Sequence, residues 1–452
     1  MPMSPECCKT IIGGGLIVMM ALGCSASQVL PGGGHQERLL AIRGIRVFDG
    51  EHVLAKANVV LQGEQIVAVG QDAAIPQAAE VIEGQGLTLL PGLIDAHFHT
   101  GSDLSLQTSL AFGVATVIDM FTQPQVMAEV GEAKAAGRDF DQAELVPGML
   151  ITAPGGHGTE YGVKASLAST AAECEAEVKA HVASGASFIK LVYDNGEAWA
   201  PNGFSTFSKE VLAACIQAAH AQGRMAVVHA LTLRESREAI EAGADGLNHA
   251  ICDVPPDAAY APLVASRGAF VVPTLTVIYS MGGQRNGEAL AEDPLLAPYL
   301  GKSHLAFLRE PFAAGSGQRV KVSAAHEAVR QLKAAGVHVL AGSDSGNPGT
   351  SAGASMHQEL ELLVTAGLTP TEALAGATSL PAARFKLGDR GRIAPGLRAD
   401  LLLVRGDPTT DIRATREIVA VFKRGVRLDR EAFRARVQAA PVEQAAAPAH
   451  TH

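Results

Sequence analysis

From residue 90 onward the chain repeats one pattern. A short apolar run is followed by Gly, Asp, His or Pro, then by an Ala-rich stretch with apolar residues at helical spacing. A strand buried on both faces reads as a continuous apolar run, so this alternation predicts a parallel sheet wrapped by helices. Eight runs stand out, at 92–97, 115–119, 149–153, 187–192, 225–229, 246–249, 270–274 and 337–343. Eight strand–helix units predict an α/β fold of the closed (β/α)8 TIM-barrel type over residues 90–388. Stretches such as 208–222, 233–242 and 324–335 supply the helices. The insert at 279–318, rich in Gly, Pro and polar residues, reads either as a lid or pocket wall or as a solvated decoration.

Flanking the barrel, residues 41–48, 57–61 and 65–69, then 399–405 and 417–424, alternate as strands with turn residues between them. They predict one small β-sandwich domain built from both chain ends, 39–89 and 389–430. Residues 431–452 read as a C-terminal tail, partly disordered. Residues 1–23 read as a signal peptide, because the apolar run at 11–22 is shorter than the roughly 20 residues a spanning helix needs. Residues 24–38 follow as a linker. The segment Ala21-Leu22-Gly23-Cys24 resembles a bacterial lipobox, which implies lipidation of Cys24 and a periplasmic, membrane-anchored lipoprotein. The other reading is ordinary cleavage near 25–27 with a free product, and both export the chain.

Composition narrows the partners. The chain has 452 residues, 47% hydrophobic and 18% charged, which is globular usage and excludes the disordered and collagenous classes. A net charge of −10 without a basic run argues against nucleic acid. The six cysteines are too scattered for a disulfide framework and include no CxxC pair. Membrane association is expected only through a lipid on Cys24, and nothing bars a homo-oligomer.

Polar residues cluster where the apolar runs end. His97 and His99 are two apart on a strand and share a face, with Asp95 one layer deeper. Lys190 interrupts Phe188-Ile189-Lys190-Leu191-Val192, where a buried ammonium demands a partner. His229 closes the fifth run, His249 the sixth, and Asp344 follows the eighth. Five strand ends therefore converge on one barrel mouth, where chemistry sits in this architecture.

Together, Pro91-Gly92-Leu93-Ile94-Asp95-Ala96-His97-Phe98-His99, Lys190, His229, His249, Gly342-Ser343-Asp344-Ser345 and Gly396-Leu397-Arg398-Ala399-Asp400-Leu401 resemble the amidohydrolase superfamily. The segment Thr152-Ala153-Pro154-Gly155-Gly156-His157-Gly158 and the lysine on strand four resemble its binuclear branch of prolidase, imidazolonepropionase and ochratoxinase-like enzymes. The resemblance implies two divalent metal ions, zinc by preference. His97, His99 and Asp344 would hold one, His229 and His249 the other, and Lys190 would bridge them as a carbamate. It further implies hydrolysis of an amide or peptide C–N bond, in a Xaa-Pro dipeptide, N-acyl amino acid or related small molecule, by a metal-bridging hydroxide. Asp344 would shuttle the proton, and His157 would hydrogen-bond substrate or intermediate. Tyr193 is a further candidate for substrate contact, although Tyr193-Asp194 stands where relatives often carry a Gly-Gly turn.

Three alternatives stay open at this point. The same centre would split esters, lactones or phosphotriesters. A mononuclear deaminase would need a Glu where Thr232 stands. A noncatalytic metal-holding lipoprotein would have no need of the complete ligand set.

Overall fold

The computed structural model describes residues 38–313 and 315–440. The expected signal peptide, Cys24 and the chain beyond 440 lie outside the described residues.

Seven parallel strands form the barrel wall in sequence order: Leu93–Phe98, Val114–Asp119, Glu144–Thr152, Phe188–Val192, Ala226–His229, Gly246–Asn248 and Phe270–Val272. We number them strands one to seven. Strand four is buried at every position, as its run FIKLV requires of a strand covered on both faces. The eighth run forms no regular strand, yet its backbone closes the ring. Val271 N donates to His338 O and Leu340 N to Val271 O on one side; Ala96 N donates to Ala341 O and Asp344 N to His97 O on the other. Gly342 permits this fit. A Cβ there would lie 2.5 Å from the Val272 side chain and 2.7 Å from His97 N, closer than any side chain tolerates.

The second sheet draws on both chain ends, in the order Val426–Arg427, Ile418–Lys423, Leu401–Arg405, Leu87–Pro91, Leu39–Phe48, Val53–Gln62 and Gln65–Gly70. The last strand turns back onto residues 396–399, where Ile66 N donates to Leu397 O and Ala399 N to Glu64 O. The sheet thus folds around its own core of Ile42, Val59, Ile66, Leu401 and Phe422. The expected boundary at 89–90 falls inside the strand Leu87–Pro91, and Gly92 alone separates that strand from the barrel.

Two sequence expectations need correction. Where a tail is expected from 431, Arg430–Ala439 forms a helix. Asp429 caps its first turn, Phe433 and Val437 bury one face against Ala111, and Arg430 lies 3.9 Å from the centre of the Tyr299 ring. The cysteines also do more than their spacing suggests. Cys174 and Cys215 form a disulfide between the helices Ala171–Ala183 and Lys209–Ala221, which flank strand four. Both are fully buried, each on the inner face of its helix.

This bond closes a sequence separation of 41 residues, a loop for which chain entropy gives about 4 kcal/mol of stabilisation. Replacing both cysteines by alanine is expected to lower the urea midpoint accordingly. A midpoint equal to that of the oxidised wild type would show that the bond contributes nothing.

Candidate metal centre

Strand alternation builds the mouth. On strand one, Asp95 and His97 face inward, with His99 just past the strand end; the first two are buried and His99 is partly exposed. Asp95 accepts hydrogen bonds from Ser343 N at 2.9 Å, Ser343 Oγ at 2.5 Å and His97 N at 3.2 Å. It is therefore the staple between strand one and the eighth segment, and burial pushes its carboxyl up to about 7.

The five strand ends converge as expected. Asp344 Oδ1 lies 3.3 Å from His97 Nε2 and 3.1 Å from His99 Nε2. Ligand atoms of these three residues all lie within 4.8 Å of one another. Beside them, with the His97 and His249 rings 4.9 Å apart, His229 Nδ1 faces His249 Nε2 at 2.8 Å. Lys190 lines the same cleft; it is buried, and its Nζ has no hydrogen-bond partner among the described residues.

Electrostatics favour ligands over cations here. Burial lowers His97 to about 4 and holds His229 and His249 well below the ordinary histidine range, so these imidazoles are neutral and keep a lone pair. Burial likewise lowers the Lys190 amine to about 7. Neutral imidazoles and a carboxylate gathered beside an orphaned amine form a donor set that fits divalent cations.

The backbone is strained to present it. His249 has φ 76°, Thr274 φ 49° and Asp344 φ 51°, all left-handed and each costing about 1–3 kcal/mol at a non-glycine residue. The surroundings hold them. Thr274 Oγ1 lies 2.7 Å from His249 Nδ1, and the buried Glu359 accepts from Leu275 N at 3.0 Å and Thr276 N at 2.8 Å, fixing the turn after strand seven.

Other candidates divide. His157 lines the cleft, with Nδ1 2.5 Å from Glu160 Oε1 and Tyr161 Oη 3.2 Å from Nε2. Tyr193 does not reach the cleft, contrary to the sequence expectation. Lys190 and Val192 line it, and one further step along the strand turns Tyr193 to the opposite face, where its hydroxyl donates to Glu238 Oε2 at 2.6 Å. Thr232, at the position a deaminase would give to Glu, caps the helix Leu233–Glu241 by accepting from Glu235 N.

A cleft opens over these residues. Its polar floor is the histidine cluster; its walls include Phe121, Leu150, Trp199, Leu231, Met281 and Phe312. Met281 and Phe312 come from the insert, which is thus a pocket wall. Sequence reasoning missed Tyr161, Trp199, Phe312 and Asp194. The first three sit in loops where no periodicity marks them. Asp194 sits four residues beyond Lys190 and was legible by parity.

A family model described as "Amidohydrolase family" matches residues 88–428. Ochratoxinase of Aspergillus niger is 25% identical over 429 residues, covering 82% of this chain and 82% of its own. Imidazolonepropionase of Cereibacter sphaeroides is 26% identical over 392 residues, covering 80% and 91%. The crystal structure of a Xaa-Pro dipeptidase with methionine in its active site superposes with a TM-score of 0.68 at 22% identity, covering 86% of this chain and 99% of that one; this likeness shows the fold.

Lys190 also gives a stability test. Its amine falls from 10.5 to about 7 on folding, so the unfolded chain binds more protons between those values and stability rises with pH across them. The ammonium penalty is complete below pH 7. In metal-free, CO2-free buffer, Lys190→Met is expected to stabilise the fold at pH 6 by on the order of a few kcal/mol and by less at pH 9. Denaturant titrations at the two pH values check this. A variant less stable than wild type at pH 6 would contradict it.

Proposed function

Since the chain belongs to the amidohydrolase family, we propose that it is a two-metal hydrolase cleaving the amide bond of a small substrate that carries an apolar group. The observation that carries this reading is the set of imidazoles and the Asp344 carboxylate gathered in one cleft with an orphaned lysine. His97, His99 and Asp344 would hold one cation and His229 and His249 the second, with Lys190, as its carbamate, contributing to both. Nitrogen-rich sets of this kind suit zinc. Bound cations supply Lewis acidity and lower the pKa of water at the site.

The chain's own residues do the rest. Asp344 accepts the proton of the attacking water on its carboxylate and returns it to the leaving nitrogen, so that the amine departs neutral. His157 and Tyr161 line the cleft side by side, which supports a role for both in hydrogen-bonding the substrate. Phe121, Leu150, Trp199, Met281 and Phe312 take up the apolar group and exclude water from the reacting bond. Among the structural neighbours, the dipeptidase is named for Xaa-Pro cleavage, which is amide hydrolysis.

The same reading includes export, with Cys24 as the lipidation site. A disulfide within the barrel, Cys174–Cys215, supports an oxidising compartment such as the periplasm. Cys24→Ser is expected to move the protein from the membrane fraction to the soluble periplasmic fraction; an unchanged distribution would rule out the lipid anchor.

The activity is tested by screening zinc-loaded protein against N-acyl amino acids with aromatic and charged acyl groups, Xaa-Pro dipeptides, lactones and aryl phosphotriesters. Amides with apolar groups are expected to be cleaved, chelation to stop it, and Asp344→Asn to lower kcat by about 10²–10⁴ with the fold retained. Turnover of lactones or phosphotriesters alone would overturn the amide assignment. Unchanged kcat in Asp344→Asn would remove the proton shuttle.

A further inference from the structure

Beyond the ligand set, one fully buried carboxylate touches both the centre and the cleft wall. Asp194 Oδ1 accepts from Gly196 N at 2.7 Å. Its Oδ2 accepts from Trp199 Nε1 at 2.8 Å and lies 3.0 Å from His229 Nε2. A carboxylate only accepts, so Nε2 is the protonated nitrogen of His229. A neutral imidazole has one proton, which leaves Nδ1 as the lone pair, and Nδ1 is the atom facing His249 Nε2 at 2.8 Å. Thr274 Oγ1, beside His249 Nδ1, can donate or accept and leaves that tautomer open. Asp194 is therefore the fixed end of the pair.

Resting on the two-metal reading, we propose that Asp194 is a positioning residue that keeps the proton of His229 on Nε2, so that Nδ1 is presented to the second cation. Trp199 braces the same oxygen from the cleft wall. The carboxylate is also held at Gly196, whose φ of 76° and close neighbours fix the turn: a Cβ there would lie 2.9 Å from the Ala200 and Phe204 side chains. With its other oxygen pinned to the backbone and the shared oxygen engaged by the indole, the carboxylate has little freedom to turn away from His229.

The test is a zinc titration of the chelator-stripped protein against a chromophoric competitor, with circular dichroism of each metal-free variant. Wild type is expected to bind two ions. Asp194→Ala is expected to keep the ion of His97, His99 and Asp344 and to bind the second 10–100-fold more weakly. Asp194→Asn keeps an oxygen that can accept from His229 Nε2 and Trp199 Nε1 at the cost of the Gly196 contact, and is expected to retain more of the second ion's affinity than Asp194→Leu, which fills the same space with no acceptor. Trp199→Phe is expected to give a smaller loss confined to that ion. A mere packing role would make Asp194→Leu bind the second ion as well as Asp194→Asn does, and that result would overturn the proposal. A wild-type chain that takes up no zinc would instead overturn the two-metal reading itself.

Discussion

A primary amine sealed among neutral imidazoles, with nothing to bond to, is the constraint on which the structure turns. Lys190 is buried in the middle of an apolar strand, and its nitrogen finds no partner among the described residues. Such a group costs stability wherever it is not compensated. Burial brings its pKa down to about 7, which leaves much of it as the free, nucleophilic amine near neutrality. Carboxylation, as proposed above, would convert that liability into an anionic oxygen donor for the cations the surrounding histidines would hold.

The rest of the barrel serves that arrangement. The centre needs side chains from five strand ends at one height, and two of them, His249 and Asp344, reach it only through left-handed backbone. Strained residues persist only where their neighbours over-determine them. Asp95 binds the first strand to the eighth segment, Glu359 fixes the turn after strand seven, and Gly342 lets the eighth segment close against both neighbours. Trp199, Met281 and Phe312, from a loop and the insert, give the cleft an apolar wall over its polar floor.

Much of the centre was legible because strands have a strict period. His97 and His99, two apart, had to share a face, and polar residues ending apolar runs had to gather at one barrel mouth. The same arithmetic shows why Tyr193 belongs elsewhere: an odd offset from Lys190 sends it to the opposite face, against Glu238. An even offset marks Asp194. The eighth strand was legible as a run but not as a regular element, since it pairs through isolated bridges and turns left-handed at Asp344. Trp199, Phe312 and the Cys174–Cys215 bond depend on tertiary contacts between loops or helices distant in sequence, which no local pattern carries. The helix Arg430–Ala439 carries legible signals, an Asp at its N-cap, helix-favouring Ala and Arg, and Phe433 and Val437 on one face, and was lost by being joined to the Ala/Pro-rich segment that follows it.

The most direct test is anomalous diffraction at the zinc edge from crystals grown with zinc and bicarbonate. The account predicts two peaks, one within ligand distance of His97, His99 and Asp344 and the other of His229 and His249, with carbamate density on the Lys190 nitrogen. A bare amine with no peak beside it, under those conditions, would contradict it.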